Sequence, residues 1–254
     1  MDIEVLGSRG QAGAGYFTPS LLIDRTILLE AGAFASSLSL GRQLAIDHVL
    51  LSHAHHDHLR DLPGLADLVI GHRRRPVRVH ACPGAMQVLR EHLFNNQLWP
   101  DFFSLPSPDE PVFSAHVFPL RRSFRVGHLT VRAIPVNHPG QAVGFLVKGR
   151  TGSLLYSGDT GPTDEIWRAA RRTRALRLVI VETKFPNDLQ FVADAAGHLT
   201  PRTLAAELGK LGPRRPPVLL YHAKPDRRAE VRREVADAKL GRVGFLEIGA
   251  RFRI

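Results

Sequence analysis

In the stretch LLSHAHHDHLRDL, residues 50–62, four histidines and two aspartates follow an apolar run. Imidazole nitrogens and carboxylate oxygens are the ligands that zinc and similar ions take, and a hydrolytic centre keeps one coordination position open. His53 and His55 lie two apart, just past an apolar run that reads as a strand, and Asp57 and His58 follow where a helix is expected to begin. Two ligand pairs this close serve two adjacent metal ions. One local cluster cannot close such a site, so further ligands must come from distant segments. Three segments supply them. VRAIPVNHPG carries His138 just past an apolar strand, SLLYSGDTG carries Asp159 in the same relation, and PVLLYHAKP carries His222. Each strand delivers its ligand at the carboxyl end, where α/β sheets generally build their sites.

The elements that must hold these ends in place read as follows. Short β-rich runs come first, at Ile3–Leu6, Ser20–Ile23, Thr26–Leu29 and His48–Leu51, with IDRT at 23–26 as a tight turn. Helices are expected from Asp61 to about Ile70 and from Gly84 to about Phe94. Further strands follow at Val77–His80, Leu129–Pro135, Ala142–Lys148, Ser153–Tyr156, Leu178–Val181 and Val218–Tyr221, with a closing one around Val243–Ile248. HLTPRTLAAELGKLG reads as a helix with Thr200 as N-cap, Pro201 at the first position and Gly212 at the stop; a last helix is expected over Ala229–Lys239. Strands in succession, each half punctuated by helices, suggest two mixed sheets packed together with helices outside, in a single domain over 1–254.

Bulk properties fit this picture. At 254 residues, 44% hydrophobic and 23% charged, the chain has ample core for one globular unit. It contains no apolar run able to span a bilayer, and its start, MDIEVLGSRG, has no secretory pattern, so the expectation is a cytoplasmic protein with no membrane partner. Cys82, the only cysteine, is expected to be a small buried thiol. A net charge of +10 favours anionic partners, but the arginines are scattered and form no basic tail. The glycines of GSRGQAGAG at 7–15 do not make a dinucleotide site, because the following segment is a strand and not a helix. A loop near the site, or a plain hairpin connection, fits them better.

The motif H-A-H-H-D-H at 53–58 resembles the H-x-H-x-D-H signature of the metallo-β-lactamase fold, and His138, Asp159 and His222 follow in the order of that superfamily. The resemblance implies an α/β (α+β) fold, a four-layer αββα sandwich, holding two divalent metal ions. Zn2+ is the first expectation, with Mn2+ or Fe2+ as alternatives. It also implies one ion held by His53, His55 and His138, the other by Asp57, His58 and His222, with Asp159 bridging. His56 occupies the variable place of the motif. The remaining histidines, 48, 72, 80, 92, 116 and 128, read as surface or satisfied core residues.

Within that superfamily, GHLTPRTLAAELGKL at 197–211, VIVETKFPN at 179–187 and YHAKPD at 221–226 are similar to class II 3′,5′-cyclic-nucleotide phosphodiesterases. Segments like FNNQLWPDF and SGDTGPT are similar to bacterial members. The resemblance implies a small-molecule substrate, cyclic AMP or cyclic GMP, opened to its 5′-monophosphate by a metal-bridging hydroxide. The leaving 3′ alkoxide needs a proton. His198, just before a helix start, is the candidate donor, and Glu182, at a strand end, would orient it; Asp57 joins them among the catalytic side chains. The alternative is that Glu182 makes an ordinary salt bridge and His198 caps its helix. Lys184 is either a phosphate contact or a solvated lysine. In the 94–106 segment Asn95 and Trp99 are candidates for contacting a purine, whereas a lid or a homodimer contact explains the same residues. The rival function is an RNA-processing nuclease of the same superfamily, resembling tRNA 3′-end endonucleases. The basic charge favours it; GHLTP in place of a histidine-serine-threonine signature speaks against it. A metal-binding module without catalysis is a further alternative.

Overall fold

The computed structural model describes residues 1–212 and 215–254. Six strands of the first half, β1 (Asp2–Gly7), β2 (Ser20–Ile23), β3 (Ile27–Leu29), β4 (His48–Leu50), β5 (Val77–Ala81) and β6 (Phe113–Val117), form one sheet. The second half supplies β7 (Ser123–Val126), β8 (Leu129–Pro135), β9 (Val143–Lys148), β10 (Ser153–Tyr156), β11 (Leu176–Glu182), β12 (Val218–Tyr221) and β13 (Val243–Phe245) to the other. The last strand, β14 (Arg251–Arg253), returns to the first sheet beside β1. Both sheets have seven strands, in the orders β14-β1-β2-β3-β4-β5-β6 and β13-β12-β11-β10-β9-β8-β7. Each begins antiparallel and turns parallel, at the β3–β4 pair in one and at β10–β11 in the other. The parallel strands need crossovers, and the helices provide them.

The two-residue period of a strand distributes its side chains between two cores. On β11, Leu178 and Ile180 enter the core between the sheets, whereas Val179 and Val181 enter the core under the outer helices. Tyr156 and Leu155 of β10 divide in the same way. Strands buried on both faces read as continuous apolar runs, which is why LVIV and SLLY carry no polar alternation. The helices are α1 (Leu40–Leu44), α2 (His56–Leu59), α3 (Leu62–Val69), α4 (Pro83–Val88), α5 (Glu165–Arg171), α6 (Gln190–Ala196), α7 (Pro201–Gly209) and α8 (Arg228–Asp237). Those of the second half bring Trp167, Leu204, Leu208 and Val231 onto the outer face of their sheet. The result is the four-layer αββα sandwich expected.

Local signals act as read. Thr200 caps α7: its Oγ1 accepts from the Thr203 amide, the Thr203 hydroxyl accepts from the Thr200 amide, and Pro201 opens the first turn. The turn between β2 and β3 places Asp24 and Arg25 at φ 46° and 68°, the left-handed pair of a tight hairpin. One expected helix differs. The segment from Gly84 is helical only to Val88 and then widens into a π-helical turn over Leu89–Leu93. Strands β6, β7 and β14 and helices α1, α5 and α6 had no sequence expectation. No described helix is long and apolar enough to cross a membrane.

Candidate metal centre

Strand ends deliver the site. After β4 the chain continues through Leu51 and Ser52 into His53, and the motif then wraps into α2, with His55 at its N-cap position. His138 follows β8, Asp159 follows β10, Glu182 ends β11 and His222 follows β12. Backbone constraints hold several of these turns. Gly158 has φ +62°, and a Cβ there would come within 2.5 Å of the Val143 carbonyl oxygen, so only glycine fits before Asp159. His222 itself sits at φ 74°, an uncommon conformation for a bulky residue, fixed by its amide donating to the Ser8 carbonyl at 2.8 Å. Gly10, in the glycine-rich loop between β1 and β2, packs so closely that a Cβ would meet the His222 carbonyl oxygen at 2.2 Å. That loop therefore borders the site.

The seven expected ligands converge in two groups. His53, His55 and His138 form one; Asp57, His58, Asp159 and His222 form the other, with ligand atoms in each group within 4.8 Å of one another. His138 donates through Nδ1 to the Gly197 carbonyl at 2.8 Å, which leaves Nε2 as a bare lone pair, 3.0 Å from His55 Nδ1. His222 Nε2 lies 3.0 Å from Asp57 Oδ2 and 3.4 Å from Asp159 Oδ2. Asp159 spans both groups: Oδ1 is 3.3 Å from His58 Nε2, and Oδ2 is 3.9 Å from His53 Nε2. His56 is exposed and takes no part.

The donor set fits divalent cations. His53 Nε2 and His58 Nε2 are buried without any hydrogen-bond partner among the described residues. Each such unpaired nitrogen costs roughly 1–3 kcal/mol unless a hydrogen bond or a cation satisfies it. Burial pushes His138 down to about 4 and holds His53 well below the usual imidazole range, so both present neutral, ligating rings. Burial alone would lower His58 too, but the Asp159 and Glu30 carboxylates beside it hold it well above that range. A proton on His58 and a cation thus compete for the same carboxylate cage.

Glu30 escaped the sequence reading. It is fully buried at the end of β3, at φ 62°, with Oε1 3.5 Å from His58 Nδ1 and Oε2 accepting from the Ser52 amide at 3.3 Å. Carboxylates placed behind a ligating imidazole fix its orientation and raise its basicity. The signal was an acid closing the apolar run TILLE.

A second constellation lies against the ligands. His198 is 3% exposed, and its ring centroid is 4.8 Å from that of His138 and 5.4 Å from that of His222. Its Nδ1 lies 2.7 Å from Glu182 Oε1, which also accepts from the Thr160 amide at 3.1 Å. Its Nε2 is 3.1 Å from the Lys184 ammonium. Lysine only donates, so Nε2 accepts and the ring proton sits on Nδ1, toward Glu182. Burial, with Asp159 nearby, pushes Glu182 up to about 8, and burial takes His198 down to about 4. Neither group is driven to its charged form, so the contact is a hydrogen bond from Nδ1 to Oε1 and not a full ion pair. His198 does not cap α7; Thr200 does.

The candidate substrate contacts divide. Lys184 reaches the site through His198. Asn95 and Trp99 do not: the Asn95 carboxamide bonds to the Glu91 carbonyl and to the amides of Gln97 and Leu98, and Trp99 packs against the core. Cys82 is buried and donates to the Gln141 carbonyl at 3.0 Å.

Comparison with known proteins agrees with this geometry. Residues 25–222 match the family described as a beta-lactamase superfamily domain. A probable 3′,5′-cyclic-nucleotide phosphodiesterase of Yersinia pestis is 31% identical over 233 residues, covering 78% of this chain; this chain spans 65% of the length of that relative. Unliganded yeast PDE1 superposes with a TM-score of 0.82 at 17% identity, over 98% of both chains. The metallo-beta-lactamase fold protein YhfI of Bacillus subtilis superposes with a TM-score of 0.80 at 17% identity, over 99% of both.

Proposed function

Since the chain belongs to the β-lactamase superfamily and has the metallo-β-lactamase fold, we propose that it is a dinuclear-metal phosphodiesterase that hydrolyses 3′,5′-cyclic nucleotides to 5′-monophosphates. One observation carries the reading: Asp159 reaches both ligand groups, and His198, held by Glu182 and Lys184, lies against a ligand of each. The 31% identical relative named as a probable cyclic-nucleotide phosphodiesterase supports the choice of substrate.

In this reading His53, His55 and His138 hold one cation and Asp57, His58 and His222 the other, with Asp159 between them. Zinc suits this nitrogen-rich donor set, and manganese or iron is the alternative. Bound cations supply positive charge at the phosphoryl oxygens and acidify water. The protein supplies the rest. The Gly197 carbonyl fixes the ring of His138 by a hydrogen bond, and the Glu30 carboxylate lies 3.5 Å behind that of His58. The departing 3′ oxygen would take its proton at the His198–Lys184 pair: the ammonium, held by His198 Nε2, donates it and is reprotonated from water, while Glu182 keeps the ring oriented through Nδ1. Lys184 also places a positive charge where a phosphate arrives. An alkoxide leaves poorly, so this proton delivery matters most for a nucleotide and least for an activated aryl ester.

The net charge of +10 favours a second reading, an RNA-processing nuclease. One experiment separates the two. The metal-loaded protein is incubated with cyclic AMP, cyclic GMP, bis(p-nitrophenyl) phosphate and a tRNA precursor. Turnover of a cyclic nucleotide to its 5′-monophosphate is expected; cleavage confined to the precursor defeats the cyclic-nucleotide reading.

A further inference from the structure

Beside His53 and His55 a cavity of about 470 Å³ opens between α4 and the loop that follows His138. Its size lies within the range of small-molecule sites. The helix contributes Gln87, Val88 and Glu91 to the wall, and the loop contributes Gln141. Val88 is 38% exposed, one of few large apolar side chains left in solvent, and here it faces a concave space. Val88 closes α4, and Glu91 lies in the π-helical turn over Leu89–Leu93. Such turns are rare and gather at functional sites because they re-aim side chains.

The polar groups of this wall are already arranged. The Gly84 amide donates to Gln141 Oε1 at 2.8 Å, and a Cβ at position 84 would lie 3.0 Å from the Gln141 Cβ. Glycine therefore lets the loop close on α4 and fixes that carboxamide with its NH2 group left to donate. Gln87 Nε2 donates to Glu91 Oε1 at 3.0 Å, which leaves the other carboxylate oxygen as an acceptor. An apolar patch flanked by one donor and one acceptor complements the face and edge of a purine, which carries both kinds of group. His53 and His55 line the cavity and His198 does not; the His138 ring is 4.8 Å from His55 and 4.8 Å from His198.

We propose that this cavity is the nucleoside subsite: the purine packs on Val88, Glu91 and Gln141 read its edge, and the phosphate lies over the two ligand groups. The inference rests on the phosphodiesterase reading and replaces the 94–106 segment as the place where the base is recognised. The Asn95 carboxamide is engaged by its own loop, and the Trp99 ring packs against the core.

Binding of product-like probes tests it apart from turnover. Isothermal titration calorimetry on the full metal-loaded chain compares AMP with ribose 5-phosphate, which differ only by the base. AMP is expected to bind about tenfold tighter, the order expected from burying the apolar face of one base. Val88→Asn, which replaces the apolar face with an amide at an exposed position, should erase that preference. Glu91→Ala, a change at an exposed position that leaves the core alone, should reduce it without altering ribose 5-phosphate affinity. Equal affinity of the two probes for the unaltered chain, or a base preference that survives both substitutions, overturns the subsite. A base preference that Val88→Asn erases in a protein unable to open cyclic AMP supports the subsite and removes only the proposed reaction.

Discussion

Replacing His198 by alanine separates proton delivery from metal binding. The ring lies against both ligand groups, yet its two nitrogens are engaged by Glu182 at 2.7 Å and Lys184 at 3.1 Å. Neither nitrogen is left for a cation, so His198→Ala should leave the metal content of the protein unchanged. Positioned acid–base groups contribute about 10²–10⁴ in rate, or roughly 3–5 kcal/mol of barrier. That loss should fall on cyclic nucleotides, whose 3′ alkoxide needs the proton. Bis(p-nitrophenyl) phosphate expels a stable phenolate and should slow by less than about tenfold. The truncation also leaves Glu182 buried beside an apolar methyl group, at a stability cost of roughly 1–3 kcal/mol. The assay pairs kcat for both substrates with elemental analysis of the same preparations and a melting curve to confirm folding. Equal slowing of both substrates, or departure of metal with the imidazole, would refute the role given to His198.

Further outcomes follow from the same geometry. Glu30→Gln removes the charge behind His58 and should weaken metal retention by about 10–100-fold, read by titration against a chelator; undiminished retention would show that Glu30 only fills space. Gly158→Ala forces a Cβ to within 2.5 Å of the Val143 carbonyl at φ +62°, and should cost on the order of 2 kcal/mol or more. A melting temperature equal to that of the unaltered protein would contradict it. Remote from the metal site, His48 Nδ1 and His80 Nε2 meet at 3.0 Å. Burial first, then neighbouring positive charge, takes His80 down to about 3 and His48 to about 4 from an ordinary 6.5. Because both pKa values are lowered on folding, the unfolded chain takes up these protons first as pH falls. Stability should therefore drop from pH 6.5 toward about 3 and level off below. In chelator-treated protein His80→Phe should flatten this limb by on the order of 5 kcal/mol; an unchanged slope in denaturant titrations across that range would count against it.

Much of the site was legible because its chemistry and its scaffold share a sequence pattern. A strand buried on both faces is an uninterrupted apolar run, and a ligand follows within three residues of its carboxyl end; that marks His53, Asp159 and His222. Glu30 obeys the same pattern, but it needs the parallel pairing of β3 with β4 to bring its carboxylate behind His58, and pairing is a tertiary fact. Helices α1, α5 and α6 are five to seven residues long, too short to show a periodic face. Strands β6 and β7 are largely solvated, as FSAHV and SFRV suggest, and pairing with their neighbours defines them more than apolar content does. The mixture of amides and aromatics at 94–106 looked suited to a base. Its amides instead satisfy the backbone of their own turn, a use of asparagine that composition cannot distinguish from binding.

Diffraction at the zinc absorption edge, from crystals of the metal-loaded protein, tests the central claim most directly. The account predicts two anomalous peaks roughly 3.5–4 Å apart, one among His53, His55 and His138, the other among Asp57, His58 and His222, with the Asp159 carboxylate between them. A single peak, or peaks outside these two groups, would contradict it.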